Sequence, residues 1–393
     1  MRRAAMFSAR THWDLRPNRL AQLLEEKRRA GVRVLDLTES NPTKVGLPVP
    51  DDLLAPLAAR GGALYEPTPC GLPSARAAVA ADFARRGVAL EPDRVVLTAS
   101  TSEAYAFLLK LLCDPGDEIL VPRPGYPLFE YLACLESVGV RGYPLEHDGS
   151  WHLDVPALRA AVSPRTRALV VVSPGNPTGA YLKRDERDAL ESLAAEHDLA
   201  LVSDEVFGDF GFSDDPERVA SVARDGPALA FTLGGLSKRC GLPQVKLAWL
   251  AVTGPAGPRR EALERLEVMA DTYLSVSTPI QVAAPTLLAR REELQGPLRE
   301  RLQANLATLR GAVGPGSTAS LLEPEGGWSA VLRVPATLPE EERVARLLRQ
   351  TDVSVHPGYF FDFPTEAYLV LSLLPAPSTF AEAVDRLATD LVL

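Results

Sequence analysis

Short apolar runs alternate with helical patterns through the middle of the chain. Nearly continuous aliphatic runs at 95–98, 118–121, 168–172, 199–202, 228–233 and 246–252 each predict a strand. Helical patterns, such as those at 74–86, 101–113 and 184–197, separate several of these runs. Because strands without polar alternation are buried on both faces, the pattern predicts an α/β fold. Its sheet is expected to be mostly parallel and covered by helices on both faces.

The pattern changes after about residue 253. Residues 260–270 and 294–313 predict long helices, and the remainder mixes strands at 328–334 and 367–374 with two helices. An alternating stretch at 32–37 predicts one further strand. This α+β pattern predicts a second, smaller domain. We expect an N-terminal arm and part of the small domain in 1–45, a large domain in 46–285 and a small C-terminal domain in 286–393.

Composition narrows the class of protein. The 393 residues are 46% hydrophobic and 24% charged, which is an ordinary balance for a soluble globular protein. A net charge of −9 and the lack of basic runs interleaved with aromatics disfavour a nucleic-acid partner. The four scattered cysteines show no CxxC or metal-ligand spacing, and no apolar run approaches the roughly 20 residues of a membrane span. We therefore expect a cytoplasmic protein without a metal, a nucleic-acid partner or a membrane.

Polar residues follow several of the predicted strands. Asn176 lies in the Pro-Gly-Asn-Pro-Thr-Gly segment after the strand at 168–172, and Asp204 ends the run at 200–204. Ser100 and Thr101 lie between a strand and a helix, where free backbone N–H groups favour a phosphate. Lys238 follows the run at 228–233, where partial desolvation lowers the pKa of an amine and makes it a nucleophile. Because parallel strands end at one edge of a sheet, these side chains are expected to meet there.

Each of these residues also has a purely structural interpretation. The Asn176 segment is compatible with a simple turn, Asp204 and Ser100 with helix caps, and Lys238 with a solvated loop. Together, however, they offer an amine for an imine, a carboxylate for a cationic ring nitrogen, a donor for a ring oxygen and a phosphate site. Pyridoxal phosphate needs each of these groups. The combination therefore predicts a pyridoxal-phosphate site.

The order of motifs resembles that of class I/II aminotransferases, a family of fold-type I pyridoxal-phosphate enzymes, over almost the whole chain. The matching segments are Tyr65 to Gly71, 99–101, 124–127, 176–179, 204–207 and 237–238. An Asn-Pro-Thr-Gly segment alone is a weak signal, but these elements occur in the family order and at family-like spacing. The resemblance implies an aspartate-aminotransferase-like fold.

The resemblance assigns roles to residues around the cofactor ring. Lys238 matches the lysine that holds the cofactor as an internal aldimine and then moves the proton between the substrate Cα and the cofactor. Asp204 would pair with the pyridinium nitrogen, and Asn176 would donate to the 3′-oxygen. Tyr126 matches the aromatic residue that stacks on the ring.

The resemblance also assigns the phosphate ligands. Ser100, Thr101 and Ser237 would hold the phosphate, and Lys246 stands where the family has a phosphate-pairing arginine. Lysine keeps the charge but loses the bidentate fork of arginine. Tyr65 would reach the phosphate from the neighbouring subunit, which implies a homodimer with shared active sites.

Two further positions near the cofactor depart from the family pattern. Phe207 replaces a tyrosine whose hydroxyl binds the 3′-oxygen, and Gly235 replaces a hydroxyl residue that binds the phosphate. The loss of a donor at position 207 is expected to raise the pKa of the cofactor imine, because its deprotonated form loses support.

The largest departure from the family pattern is at the position expected to bind the substrate carboxylate. The family has an arginine in an Arg-Leu-Ser strand near the C-terminus, and here Val370 takes its place in Val-Leu-Ser. Valine does not bind a carboxylate, so Arg16, Lys44 or His356 would have to replace the cation, or the amino donor is not a standard amino acid. The aromatic segment 356–363 would suit an apolar substrate or the core of the small domain.

These observations favour a pyridoxal-phosphate-dependent aminotransferase that moves an amino group from an amino donor to a 2-oxo acid. A β-eliminating lyase uses the same cofactor chemistry and remains an alternative. A cofactor-binding regulator would need a DNA-binding module ahead of the large domain, and the N-terminal arm is too short for one. A non-catalytic binding module is a third alternative. A nicotinamide-dependent enzyme is disfavoured because no GxGxxG follows the first strand.

Overall fold

The structure is a computed structural model that describes residues 6–314 and 316–391. The helices are α1 (Arg19–Arg29), α2 (Pro73–Arg85), α3 (Thr101–Leu112), α4 (Phe129–Leu135), α5 (Val155–Ala161), α6 (Arg184–Glu196), α7 (Leu236–Arg239), α8 (Ala256–Tyr273), α9 (Thr278–Ala289), α10 (Glu292–Ala312), α11 (Glu340–Thr351) and α12 (Pro377–Leu391). The strands are β1 (Leu35–Asp36), β2 (Val95–Thr98), β3 (Glu118–Arg123), β4 (Gly139–His147), β5 (Trp151–Leu153), β6 (Thr166–Val172), β7 (Ala200–Asp204), β8 (Ala230–Gly235), β9 (Ala248–Thr253), β10 (Ser320–Leu322), β11 (Ser329–Arg333), β12 (Val353–Ser354), β13 (His356–Pro357) and β14 (Tyr368–Ser372).

The larger sheet has eight strands in the order β2-β9-β8-β7-β6-β3-β4-β5. Strands β4, β3, β6, β7 and β8 are parallel to one another, while β9 runs antiparallel between β8 and β2. Strand β5 adds an antiparallel edge. The prediction of a mostly parallel sheet is confirmed. The carboxyl ends of β3, β6, β7 and β8 consequently lie on one edge.

Helices cover both faces of this sheet. Val170 and Val202 pack on one face with residues of α3 and α8. Their chain neighbours Leu169 and Leu201 pack on the other face with residues of α5 and α6. Consecutive aliphatic residues of a strand point to opposite faces, so burial on both sides requires the continuous apolar runs seen in the sequence.

A smaller sheet is built from the C-terminal part of the chain. Strands β10, β11, β14 and β13 form an antiparallel sheet, and β1 pairs in parallel with β12. One apolar cluster joins this region to α1, α10, α11 and α12. The N-terminal segment is therefore packed with the C-terminal region. The domain boundaries at residues 45/46 and 285/286 stay a prediction.

Several predicted strands are shorter in the structure, and two of them have a clear physical reason. The strand expected at 32–37 is limited to Leu35–Asp36, because its partner β12 offers only two residues. The strand expected from residue 246 begins at Ala248, because Lys246 adopts a left-handed conformation with φ 55° that no ladder accommodates. Neither change alters the order of the elements.

None of the helices in the described ranges combines the length and apolarity needed to cross a bilayer.

Candidate active site

Lys238 lies in the single-turn helix α7, directly after the carboxyl end of β8. Its Nζ lies 4.9 Å from the centroid of the Trp328 ring and 5.7 Å from that of Phe207. Within residues 6–314 and 316–391, this amine has no hydrogen-bond partner. Burial lowers its pKa, and the carboxylate of Asp204 opposes that shift. The predicted direction of the lysine pKa is confirmed.

A cavity of about 300 Å³ opens in front of Lys238 between the large and small sheets. Its wall from the large sheet comes from the loops at the carboxyl ends of the strands. The predicted site residues that line the cavity are Thr101, Tyr126, Asn176, Asp204, Ser237 and Lys238. The fold thus brings together residues spread over more than a hundred positions of the chain.

Asp204 is the last residue of β7 and is 7% exposed. Burial raises the pKa of its carboxyl to about 6, against the lowering effect of two hydrogen bonds. The backbone N–H of Val206 donates to Oδ1 over 3.2 Å, and the Tyr105 hydroxyl donates to Oδ2 over 3.2 Å. Tyr105 lies on α3, and no local pattern in the sequence pointed to this partner.

Asn176 and Tyr126 face the cavity from neighbouring loops. Asn176 follows β6 in a tight loop, where a Cβ at Gly175 would come within 2.3 Å of the Thr178 hydroxyl. Close packing therefore leaves no room for a side chain at position 175. Tyr126 packs edge-on against Phe129, with the ring centroids 5.6 Å apart, and burial raises the pKa of its hydroxyl to about 12. The phenol stays neutral at physiological pH.

Three predicted ligands do not line the cavity. Ser100 caps α3, and its hydroxyl accepts from the Glu103 N–H over 3.1 Å. Tyr65 is 74% exposed beside a separate cavity of about 30 Å³. Lys246 is exposed in the turn before β9. Their phosphate-binding roles stay predictions.

The opposite wall contains residues that the sequence did not single out as ligands. They come from the segment after β1 and from the small sheet: Thr38, Ser40, Trp328, Ser329, Phe361 and Ser372. The Ser372 hydroxyl donates to the Glu39 carbonyl over 2.6 Å, which ties β14 to the N-terminal segment. Because these residues are far apart in the chain, no local pattern could have identified them.

A buried ionic cluster supports α7 from behind. Arg239, directly after the lysine, is 1% exposed and contacts the carboxylates of Asp82 and Asp209. Gln295 of α10 donates to the Arg239 carbonyl over 2.7 Å and to Asp209 over 2.8 Å. This cluster fixes the turn that presents Lys238 to the cavity.

Comparisons with known proteins agree with this architecture. An aspartate aminotransferase double mutant from Thermus thermophilus superposes with a TM-score of 0.84 at 24% identity, over 98% of this chain and 100% of that one, which shows the fold. An alanine aminotransferase from Pyrococcus furiosus superposes with a TM-score of 0.84 at 25% identity, over 96% of this chain and 100% of that one. The chain has the aspartate-aminotransferase-like fold of fold-type I enzymes.

The family follows from the sequence comparison. The family model described as aminotransferase class I and II matches residues 33–387. The alanine aminotransferase of Mycobacterium bovis is 30% identical over 379 residues, which cover 92% of this chain and 86% of that protein. The chain therefore belongs to the class I and II aminotransferase family, and it is an aminotransferase.

Proposed function

We propose that this aminotransferase carries pyridoxal phosphate at Lys238 and transfers an amino group from an amino acid to a 2-oxo acid in two half-reactions at one site. The observation that carries this proposal is the shared cavity of Lys238 and Asp204. A desolvated amine and a buried carboxylate there face the same space from two neighbouring strands.

The side chains that line the cavity match the groups of the cofactor one by one. The carboxylate of Asp204 suits the ring nitrogen, the amide of Asn176 suits the ring oxygen, and the face of Tyr126 suits the ring. The hydroxyls of Thr101 and Ser237 suit the phosphate, with Thr101 at the N-terminus of α3. When bound, pyridoxal phosphate supplies an electron sink for the bond broken at the substrate Cα.

The protein's own groups would hold and move the protons. Burial lowers the pKa of Lys238, so its amine is more readily neutral and able to take a proton from the substrate Cα and return it. Burial raises the pKa of Asp204 to about 6, although the charge of Lys238 lowers it. A cationic ring nitrogen beside it would lower that pKa and keep the carboxylate ionised.

The aromatic residues around Lys238 exclude water from the amine. Trp328 is 5% exposed and Phe207 is 9% exposed, and their rings meet edge to face with centroids 5.3 Å apart. The phenyl ring at position 207 supplies no donor, so Asn176 is left as the amide donor for the ring oxygen on that wall. These two rings limit the solvation of the lysine amine between proton transfers.

Alanine is the first donor to test. Two of the three similar proteins described above are named alanine aminotransferases. Pyruvate would then be the keto product of the first half-reaction and glutamate the product of a 2-oxoglutarate acceptor.

The test fixes the cofactor covalently and finds where it is attached. The protein is incubated with pyridoxal phosphate, reduced with borohydride, digested and analysed by mass spectrometry. We expect the adduct on Lys238. Lys238→Ala should abolish the adduct and lower the rate of transamination by at least about 10³-fold, because no other group replaces the nucleophile. Lys110→Ala is the control, since Lys110 pairs with Glu136 on the surface outside the cavity.

Two results would contradict the proposal. An adduct on another lysine, with full activity in Lys238→Ala, would remove Lys238 from the mechanism. Release of ammonia and pyruvate from amino acids that carry a β-leaving group, without amino transfer to any 2-oxo acid, would favour the eliminating lyase instead.

A further inference from the structure

The substrate side of the cavity has an unusual set of side chains. With Lys238, Asp204, Asn176 and Tyr126 assigned to the cofactor, the remaining wall comes largely from the small sheet. Among the described residues that line the cavity there is no arginine and no second lysine. The family's carboxylate-binding position is Val370, which is 1% exposed.

One side chain lies next to this valine on the adjacent strand. Strands β13 and β14 are antiparallel, and their register pairs His356 with Val370. Paired residues of neighbouring strands project to the same face, with Cβ atoms about 5 Å apart. Both residues line the cavity. The His356 imidazole therefore stands one strand away from the position where the family carries its guanidinium.

The other two candidate cations lie outside the cavity of their own chain. Arg16 is exposed and forms a bidentate pair with Asp14 two residues before it. Lys44 is exposed in the 3₁₀ turn at Pro42–Lys44. Neither of them lines the cavity, whereas His356 does.

His356 packs against two aromatic rings, and its burial favours the neutral imidazole. Its ring centroid is 5.7 Å from those of Phe360 and Phe361. Burial lowers the pKa of the imidazole, and the carboxylate of Asp36 on β1 opposes that shift. Lys238 and Asp204 face the same cavity from the large sheet.

The other titratable groups near His356 are engaged elsewhere. Glu340, at the start of α11, accepts from the backbone N–H groups of Tyr359, Ala367 and Tyr368. Arg343 of the same helix donates to the Pro335 carbonyl. The ring of Tyr368 stacks on Phe363, and that of Tyr359 contacts Phe360 edge-on. None of these contacts places a competing carboxylate on the cavity side of His356.

We propose that His356, as the imidazolium, binds the α-carboxylate of both the amino acid and the 2-oxo acid in place of the family's arginine. This inference rests on the proposed function. A carboxylate in such a cavity needs a charged or hydrogen-bonding partner, and a protonated imidazole supplies both. Trp328 also lines the cavity, and its buried Nε1 has no hydrogen-bond partner in the described part of the chain.

This arrangement has a consequence that an arginine site lacks. An imidazole that is neutral in the empty cavity must take up a proton when a carboxylate binds, since the bound anion raises the pKa of the ring. Affinity for carboxylates should therefore fall as the pH rises from the pKa of the free imidazole to the higher pKa of the bound state. A guanidinium stays charged throughout this range and would show no such dependence.

The first experiment measures carboxylate binding without turnover. Isothermal titration compares 3-phenylpropionate with 3-phenylpropanamide, which lacks only the charge, on the cofactor-loaded and the cofactor-free protein. We expect the acid to bind more tightly than the amide, with proton uptake seen by repeating the titration in buffers of different ionisation enthalpy. In His356→Gln the acid should bind about tenfold or more weakly and the proton uptake should vanish, while the amide is unaffected.

Two further variants separate charge from structure. His356→Arg should restore affinity for the acid and abolish its pH dependence, which a merely structural role would not do. His197→Ala is the matched control, because His197 lies at the exposed end of α6 and contacts Glu196. That control should bind the acid as the unaltered protein does.

The second experiment uses substrates. L-phenylalanine is compared with 2-phenylethylamine in the first half-reaction, followed by the absorbance of the bound cofactor. The amino acid should react with a lower half-saturating concentration, and His356→Gln should remove that advantage. Equal reaction of the amine and the amino acid in the unaltered protein, or an unchanged preference in His356→Gln, would overturn the inference.

The two proposals fail in different ways. If no cofactor becomes attached to Lys238, the proposed function fails, while the titrations on cofactor-free protein still measure the role of His356. If the cofactor attaches and amino acids react, but the His356 variants bind the acid normally, only the carboxylate site is wrong.

Discussion

Asp204 and Asp209 show how the same side chain acquires opposite properties within five residues. Both are buried, and burial alone would raise the pKa of each carboxyl. Asp209 faces Arg239, Arg85 and Arg86, which hold its pKa well below the usual range. For Asp204, burial outweighs the hydrogen bonds from Val206 and Tyr105 and the charge of Lys238, so its pKa is raised to about 6. One aspartate is a structural anion, and the other is available to a ligand.

This contrast predicts a pH-dependent effect of Asp204→Asn on the cofactor-free protein. A carboxyl whose pKa is raised from 3.8 to about 6 on folding stabilises the fold fully below pH 3.8, and that stability is lost as the pH rises through 6. Asparagine keeps the shape without the buried charge. At pH 8 the free energy of unfolding of the variant should exceed that of the unaltered protein by up to about 3 kcal/mol. Near pH 4 the difference should be small.

Chemical denaturation of both cofactor-free proteins between pH 4 and pH 8 measures this difference. Asp204→Asn should also lower the affinity for the cofactor, because the ring nitrogen loses its anionic partner. Asp209→Asn is the control, and it should lower the stability at pH 8, since it removes one of the two carboxylates that the buried Arg239 contacts. A loss of stability in Asp204→Asn at pH 8 would contradict the proposed burial of the charge.

At the scale of elements, the turn from β8 into α7 is built around close backbone packing. A Cβ on Gly234 would lie 2.7 Å from Nε1 of Trp249, whose side chain is fully buried. A Cβ on Gly235 would lie 3.0 Å from that of Ala248 on the adjacent strand β9. The family's hydroxyl residue at position 235 therefore has no room here unless β9 moves, which gives the physical reason for that departure.

Gly234→Ala is predicted to destabilise the protein by about 1–3 kcal/mol, because Trp249 or strand β9 must shift to admit the methyl group. Gly296→Ala is the matched control. Gly296 lies inside α10, and a Cβ there would meet nothing within 4 Å. That change should stabilise the protein by about 0.4–1 kcal/mol. Thermal unfolding of the two variants compares them directly, and similar transition temperatures would contradict the close packing of β8 on β9.

At the scale of the whole molecule, several exposed apolar side chains favour a second subunit. Leu64, Tyr65, Val268 and Tyr273 are all more than half exposed, at 66%, 74%, 69% and 52%. Exposed apolar residues in such number are typical of a surface that meets another protein. Tyr65, assigned by resemblance to the phosphate of the neighbouring subunit, does not reach the cavity of its own chain. We therefore propose a homodimer in which each Tyr65 serves the partner's site.

In the proposed dimer, cofactor binding would depend on association. Leu64→Asp places a charge on the proposed interface and should lower both the dimer fraction and the affinity for pyridoxal phosphate. Tyr65→Phe should keep the dimer and weaken cofactor binding about tenfold, because one hydrogen bond to a charged phosphate is lost. Sedimentation velocity and equilibrium dialysis measure the two quantities. A monomer that binds the cofactor with undiminished affinity would contradict the proposal.

The sequence by itself determined the framework of the large domain. The aliphatic runs predicted its central strands because a strand buried on both faces has no other composition. The residues after those runs predicted Asp204, Asn176 and Lys238 as neighbours, since the carboxyl ends of parallel strands share an edge. These inferences needed only local pattern and the geometry of a parallel sheet.

Only the tertiary structure decided the rest of the site. Tyr105 beside Asp204, Trp328 beside Lys238 and His356 beside Val370 depend on contacts between elements that are remote in the chain. A local pattern fixes which face of an element is buried, but not which side chain of another element packs against it. The register of β13 on β14 and the position of the small sheet over the large one are set by packing, and they determine what the substrate meets.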